Sequence, residues 1–272
     1  MFQKVFQLKN NIVIGMIHFP PLLGYLNFIG IDKSLQFALE DLRNLEKGDV
    51  DAIMVENNYD VPHKEFVSPE VIASMTYLTT KIIDATILPV GVSVLWNDFR
   101  TALIIAKVCG GKFIRVPVFV DNVKTNYGEF YANPQDVVNY RKSIHAEEVM
   151  LFTDIHVKHA TIISPYTIQE SANKAIKMGS DAIVITGKWT GDAPSTEDLE
   201  NVRKTVGNFP ILVGSGTSKE NAKYINKVAN GVIVSTSLKV GTSKTGEVNV
   251  KGYEQRISRQ KVTEFVREFK SK

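Results

Sequence analysis

Cysteine is nearly missing from this chain. The lone Cys109 excludes an internal disulfide and a cysteine-based zinc site, both of which need further thiols. It follows the apolar run Leu103-Ile104-Ile105-Ala106-Lys107-Val108, and a buried structural thiol is expected there. No apolar stretch approaches the ~20 residues of a membrane span. The N-terminus lacks the apolar run and cleavage site of a signal peptide, so a cytoplasmic location is expected. Charge of one sign is not in excess either. The net charge is +3, with 22% charged residues and acids interleaved with bases. A dedicated nucleic-acid binder should show a strong basic patch, so no nucleic-acid partner is expected. The segment from Lys244 onward is mildly basic, but Glu247, Glu254, Glu264 and Glu268 dilute it into a solvated helix face. Low-complexity stretches and composition breaks that would mark a linker are also missing, so one domain over residues 1–272 is expected.

What the chain does have is apolar residues, 44% of 272, ample for a large core. They fall in about eight short runs that read as strands, at 12–18, 52–56, 88–95, 113–118, 149–153, 181–186, 210–213 and 231–234. Between them lie stretches with helical spacing, such as Leu35, Ala38, Leu39, Leu42 and Leu45, or Val71, Ile72, Met75, Leu78 and Ile82. Helix starts are signalled by Asp32 or Ser34, Ser68-Pro69-Glu70, Asp98, Asn133-Pro134, the capping box Thr167-Ile168-Gln169-Glu170, Ser195 and Ser218. Residues 119–133 read as a long loop. Strict alternation of near-continuous apolar strands with helices means a parallel sheet with helices outside. Eight units in this length favour a closed α/β (β/α)8 TIM barrel over an open doubly wound sheet. A dinucleotide-type sheet would also want a glycine-rich fingerprint after its first strand, and His18-Phe19-Pro20-Pro21 is not one.

In such a barrel the ligand site forms at the C-terminal ends of the strands. Those ends carry His18, Glu56-Asn57, Asn97-Asp98, Arg115, Asp154 with His156, Lys158 and His159, Thr186-Gly187, Gly214-Ser215-Gly216 and Ser235-Thr236-Ser237. Loop beginnings are polar in any protein, and Asp98 is accounted for as a helix cap. Arg115 and Lys158 are different, because both fall within a strand's alternating pattern, where a long cation needs a partner. Side-chain alternation would place Asp154, His156 and Lys158 on one face. Asn57, Asn97, Arg115, His156, His159, Thr186 and Gly187 are therefore candidates for holding substrate.

Gly214-Ser215-Gly216 and Ser235-Thr236-Ser237 follow the seventh and eighth strands, where barrels often bind phosphate. Glycine lets the backbone approach an anion, and amide N–H groups can then donate to it. Each motif alone is also a common tight turn. Lys158 is a candidate nucleophile, since a desolvated lysine can be neutral and form a Schiff base with a carbonyl. The competing role is a permanent charge, paired to Asp154 or holding an anionic ligand. Glu56, His18 and Asp154 complete the acid–base candidates. No cofactor is expected. A divalent ion held mostly by oxygens, with His18, Glu56, Asp154 and His156 or His159 as the available ligands, stays open. Trp96 and Trp189 lie near the ligand loops and could flank a ring, or simply pack.

Gly15-Met16-Ile17-His18-Phe19-Pro20-Pro21-Leu22-Leu23-Gly24 resembles the N-terminal signature of the BtpA/SgcQ family. The stretches Asp51–Asn57, Gly91–Asp98, Phe113–Val116, Asp154–Ala160, Asp181–Gly187, Val213–Thr217 and Gly231–Lys239 resemble the same family in order along nearly the whole chain. His18, Glu56, Asn57, Asn97, Arg115, Asp154 and Lys158 stand at motif positions. Pro20-Pro21 departs from the usual proline spacing, and Ser235 stands where glycine is commoner, which weakens the phosphate cradle at the eighth strand. The resemblance implies a TIM barrel. It also implies two different roles: the family is named for photosystem I biogenesis, with a peripheral thylakoid member, while other members look like enzymes of sugar metabolism. It implies no catalytic-residue assignment.

Two functions follow as expectations. The first is an enzyme of lyase, isomerase or hydrolase type, acting on a small phosphorylated or anionic sugar or nucleotide derivative. The second is a non-catalytic assembly or stabilising factor of the photosystem I biogenesis type. Peripheral membrane association is compatible with the sequence, and a homo-oligomer is expected.

Overall fold

The computed structural model describes residues 1–7, 10–189, 192–241 and 251–271. Lys244 and Glu247, considered above, lie outside the described residues, as do Thr190 and Gly191 after Trp189.

The chain opens with a short helix α1 (Phe2–Val5), then β1 (Ile12–His18), α2 (Ile31–Lys47), β2 (Ala52–Glu56), α3 (Pro69–Asp84), β3 (Val90–Ser93), α4 (Phe99–Cys109) and β4 (Phe113–Val116). A hairpin, β5 (Val123–Thr125) and β6 (Gly128–Phe130), precedes α5 (Pro134–Ser143) and β7 (Met150–Ile155). After the short β8 (Thr161–Ile162) come α6 (Ile168–Lys177), β9 (Ala182–Ile185), α7 (Thr196–Val206), β10 (Ile211–Val213), α8 (Ala222–Val228) and β11 (Gly231–Val234). A 3-10 turn (Thr236–Leu238) and α9 (Arg259–Lys270) complete the described chain. Eight strands, in the order β1-β11-β10-β9-β7-β4-β3-β2, close into an all-parallel barrel. This is the TIM barrel expected from the alternation.

Strand alternation sorts each strand's side chains between two cores. Ile12, Ile14 and Met16 of β1 point inward with Ala52, Met54, Phe113, Phe152, Val184, Leu212 and Ile233. Val13 and Ile17 point outward against the helices. Phe2 and Phe6 close the bottom of the barrel beneath Phe113 and Phe152, whose rings stack 4.5 Å apart. Gly91 leaves room for this layer, since a Cβ there would lie 2.0 Å from the Phe113 ring. Carried one step further, the inward alternation reaches His18, Glu56, Arg115 and Asp154. These four polar side chains form the topmost interior layer.

Several boundaries differ from the sequence reading. The third strand is shorter than 88–95, because Asn57 Oδ1 accepts the Leu95 N–H at 2.7 Å and draws the chain away from the sheet. Helix α2 starts behind Gly30, and the Ser34 hydroxyl bonds back to the Gly30 carbonyl (3.0 Å) rather than capping. Helix α8 starts behind Asn221, not Ser218. Asp98, Asn133, Thr167 and Ser195 cap as expected. Ser68 stands at the start of α3 without a side-chain cap bond. Cys109 is half-buried rather than buried, within 3.3 Å of the Thr80 hydroxyl.

The expected loop at 119–133 contains a β-hairpin that pairs with β8 into a three-stranded antiparallel sheet. This sheet has its own apolar cluster of Trp96, Val118, Val123, Phe130 and Val157, with Trp96 stacked on Phe130 at 5.5 Å. It forms one wall of the barrel mouth. Among the described residues no helix is long and apolar enough to cross a membrane.

Candidate functional site at the barrel mouth

A cavity of about 290 Å³ opens at the C-terminal end of the barrel. His18, Glu56, Arg115 and Lys158 form one side, and Gly214–Ser218 with Ser235–Ser237 the other. His18 and Glu56 are cross-strand neighbours in register. Arg115 crosses the mouth from β4. Its Nε and Nη2 donate to the two oxygens of Asp154 at 2.8 and 2.7 Å. Burial alone would lower the Arg115 pKa, but Asp154 and Glu56 more than offset it and hold the group charged. Asp154 is 1% exposed and does not line the cavity, so it anchors Arg115 from below.

Glu56 is the unusual member. Its Oε1 lies 3.5 Å from His18 Nε2, and its Oε2 lies 3.8 Å from Arg115 Nη1. Oε2 is buried and has no hydrogen-bond partner among the described residues. Burial pushes the His18 imidazole well below its usual pKa, and Lys239, Lys158 and Arg115 act in the same direction. His18 is therefore neutral at pH 7, and its contact with Glu56 joins an imidazole to a carboxylate, not two charges. Burial, helped by Arg115, also lowers the Lys158 pKa to about 8, with Glu56 and Asp154 opposing. Thr186 fixes this lysine's backbone, its hydroxyl accepting the Lys158 N–H at 2.8 Å.

The far wall is built on the turn at Gly214–Gly216 and the 3-10 turn Thr236–Leu238. Gly216 has φ +62°, and a Cβ there would lie 2.0 Å from the Ala193 nitrogen, so only glycine fits. Gly214 leaves space that a side chain would take from Val184 and Thr186. The Ser215 hydroxyl is used structurally, accepting from Gly187 N and donating to the Asp192 carbonyl, both at 2.9 Å. Ser237 likewise donates to the Thr217 carbonyl. The Thr217 and Ser235 hydroxyls, in contrast, are buried with no partner among the described residues, and both residues line the cavity. Lys239, 1% exposed, donates to the Tyr59 hydroxyl at 2.9 Å. Burial lowers its pKa to about 8. Lys251 also lines this wall, but its ammonium is spent on the carbonyls of Lys239, Val240 and Gly241.

The other sequence candidates sit elsewhere. Asn57 bonds Asp60 and the backbone of Leu95, and Asn97 bonds both backbone groups of Val118. Both hold loops and neither lines the cavity. Gly187 is packed against Asp192, where a Cβ would lie 2.3 Å from a carbonyl oxygen. His156 departs from the face expected for it. Strand β7 ends at Ile155, His156 has φ +47°, and its ring turns to the Tyr166 carbonyl at 3.2 Å. His156 is thus turned away from the His18–Glu56 pair, and among the described residues no three His, Cys, Asp or Glu side chains form a group that could hold an ion. Tyr59, Thr217 and Lys239 were not singled out from the sequence. Thr217 directly follows Gly216 and Lys239 stands two residues past Ser237, so continuing each motif by one or two residues would have reached them.

These features define a parallel TIM barrel with a cation-lined polar mouth. The chain belongs to the BtpA family, whose profile matches residues 9–269. It is 34% identical over 233 residues to the photosystem I biogenesis protein BtpA of Synechocystis, a match covering 85% of this chain and 81% of that protein. An uncharacterised mitochondrial protein of Caenorhabditis elegans is 33% identical, with 88% of each chain covered. Solved structures share the fold at low identity. The tryptophan synthase of M. tuberculosis matches with a TM-score of 0.62 and 15% identity, covering 98% of this chain and 96% of that one. The (S)-3-O-geranylgeranylglyceryl phosphate synthase of Thermoplasma acidophilum, solved with its substrate sn-glycerol-1-phosphate, matches at TM-score 0.58 and 15% identity with the same coverage.

Proposed function

We propose that this protein is an enzyme acting on a small phosphorylated or otherwise anionic metabolite at the barrel mouth. The observation that carries the reading is the state of Glu56: a buried carboxylate oxygen without a hydrogen bond, facing a cavity beside Lys158. An unsatisfied buried oxygen costs roughly 1–3 kcal/mol, so folding alone does not favour it. Sites that perform chemistry retain such groups. The anion would sit against the hydroxyls of Thr217 and Ser235, with Lys239 and Arg115 balancing its charge. Lys158, whose pKa burial lowers to about 8, suits proton transfer, and Glu56 with neutral His18 supplies a complementary base. Such a set fits lyase, isomerase or hydrolase chemistry that moves one proton. A Schiff base on Lys158 needs a ligand carbonyl, and borohydride trapping distinguishes that route.

The name of the Synechocystis relative supports a second reading, an assembly or stabilising factor that does no chemistry at the mouth. Thermal denaturation against phosphosugars, nucleotides and divalent ions separates the two. Ligand at 100 times its Kd adds about 2.7 kcal/mol of stability. A hit in the wild type that vanishes in Lys158→Ala supports the enzyme. Silence across the panel, with the variant as stable as the wild type, supports the assembly factor.

A further inference from the structure

Beside the first cavity lies a second, of about 70 Å³. The two share Glu56, Asn58, Arg115 and Lys158, so they are two chambers of one mouth. Their walls differ in kind. The first has the glycines, hydroxyls and Lys239. The second is walled by rings: Trp96, Tyr127, Trp189, His63 and His159. His63 stands edge-on to Tyr127 at 5.3 Å, and His159 edge-on to Trp189 at 5.4 Å. Burial holds both imidazoles near pKa 4, so at neutral pH these walls carry no charge of their own.

We propose that the ligand is bipartite: a phosphate ester seated in the first chamber and joined, past Glu56 and Lys158, to one small planar ring seated in the second. The proposal rests on the anion-binding reading given above. The ring must carry hydrogen-bonding atoms. His63 is 6% exposed and its buried Nδ1 has no partner among the described residues, while the Asn126 amide lines the same chamber. A purely apolar group would leave the His63 nitrogen without a hydrogen bond. A second phosphate would meet aromatic faces and neutral imidazoles, with Arg115 and Lys158 only at the wall shared with the first chamber. The chamber has about a quarter of the first one's volume, which favours a single ring over a fused pair. A pyrimidine nucleoside monophosphate has this form, and its sugar–ring bond would lie at the shared Glu56–Lys158 wall.

The test is calorimetric titration of the whole protein with inorganic phosphate, ribose 5-phosphate, uridine 5′-monophosphate and cytidine 5′-monophosphate. At least one nucleotide is expected to bind tenfold or more tighter than ribose 5-phosphate. Trp189→Ala and His63→Gln should remove that gain and leave ribose 5-phosphate affinity unchanged. Trp189 is 58% exposed, so its removal leaves the fold intact. The chain's only two tryptophans both border this chamber, so fluorescence excited at the indole edge gives an independent reading of occupancy. Equal affinity for nucleotides and ribose 5-phosphate, or a gain that survives both variants, overturns the bipartite ligand but not the anion site. Failure of all four compounds to bind overturns the anion site itself.

Discussion

Asp154 grips Arg115 through two hydrogen bonds, at 2.8 and 2.7 Å, between side chains that alternation of β4 and β7 points into the barrel. The pair lies directly under the mouth, with Asp154 sealed from solvent and the guanidinium edge exposed to the cavity. Breaking a buried pair by removing one partner costs roughly 3–5 kcal/mol, because the other charge is left buried alone. Asp154→Leu should therefore lower stability by about that amount. Arg115→Met with Asp154→Leu should recover much of it while abolishing anion binding. Denaturant unfolding of the three variants measures this. A double variant no more stable than Asp154→Leu would contradict it.

Gly216 tests the cradle. A Cβ at this positive-φ position would overlap backbone of residues 192 and 193, which cannot rotate away as a side chain could. Gly216→Ala should cost at least about 2 kcal/mol. It should also weaken phosphate-ester binding by displacing Thr217. Unchanged melting and unchanged affinity together would remove Gly216 from the account.

Acid stability should report on the buried imidazoles. His63 falls from 6.5 to about 4 on folding, and His18 and His159 are also lowered. Unfolded chains bind protons at these histidines below pH 6.5 that the folded protein refuses. Stability is thus full above pH 6.5 and lost as pH falls towards 4. For His63 the loss is about 3 kcal/mol at roughly 1.4 kcal/mol per pKa unit. Asp60 opposes in part. Its folded pKa is raised to about 6 by burial, so it favours the folded state as pH falls from 6 towards 3.8. Melting temperature should decline between pH 6.5 and 4, and decline less in His63→Gln. Parallel curves for the two proteins would contradict this.

The basic limb should appear in binding. Lys158 and Lys239 titrate near pH 8 and supply positive charge only below it. Affinity for ribose 5-phosphate should hold to about pH 7 and fall as pH rises through 8. Lys158→Arg should keep its charge and flatten the fall, leaving the Lys239 contribution. Calorimetry from pH 6 to 9.5 measures this, and affinity that rises across that range would contradict it.

The barrel and its topmost layer were legible in the sequence for one reason. His18, Glu56 and Arg115 continue a period-two pattern, and a parallel barrel fixes which way that pattern points. Legibility ended where the strands ended. His156 follows the last strand residue by one position, and its left-handed backbone cancels the alternation that would have turned it inward. Asn57 and Asn97 read as ligand groups because amides are equally good at binding substrate and at holding loops. Only the backbone partners they find in the fold distinguish the two. Tyr59 and His63 lie in the loop after β2, whose path is set by tertiary contacts such as the Asp60 bond to Leu22 N. The hairpin β5–β6 escaped notice because three-residue strands are too short to show a period.

The most direct measurement is a crystal structure of the protein with ribose 5-phosphate bound. The account predicts a phosphoryl group at the Gly216 turn, with oxygens within hydrogen-bond reach of the Thr217 and Ser235 hydroxyls and the sugar directed towards Glu56 and Lys158. A phosphoryl group bound away from this wall, with those two hydroxyls still unpartnered, would contradict it.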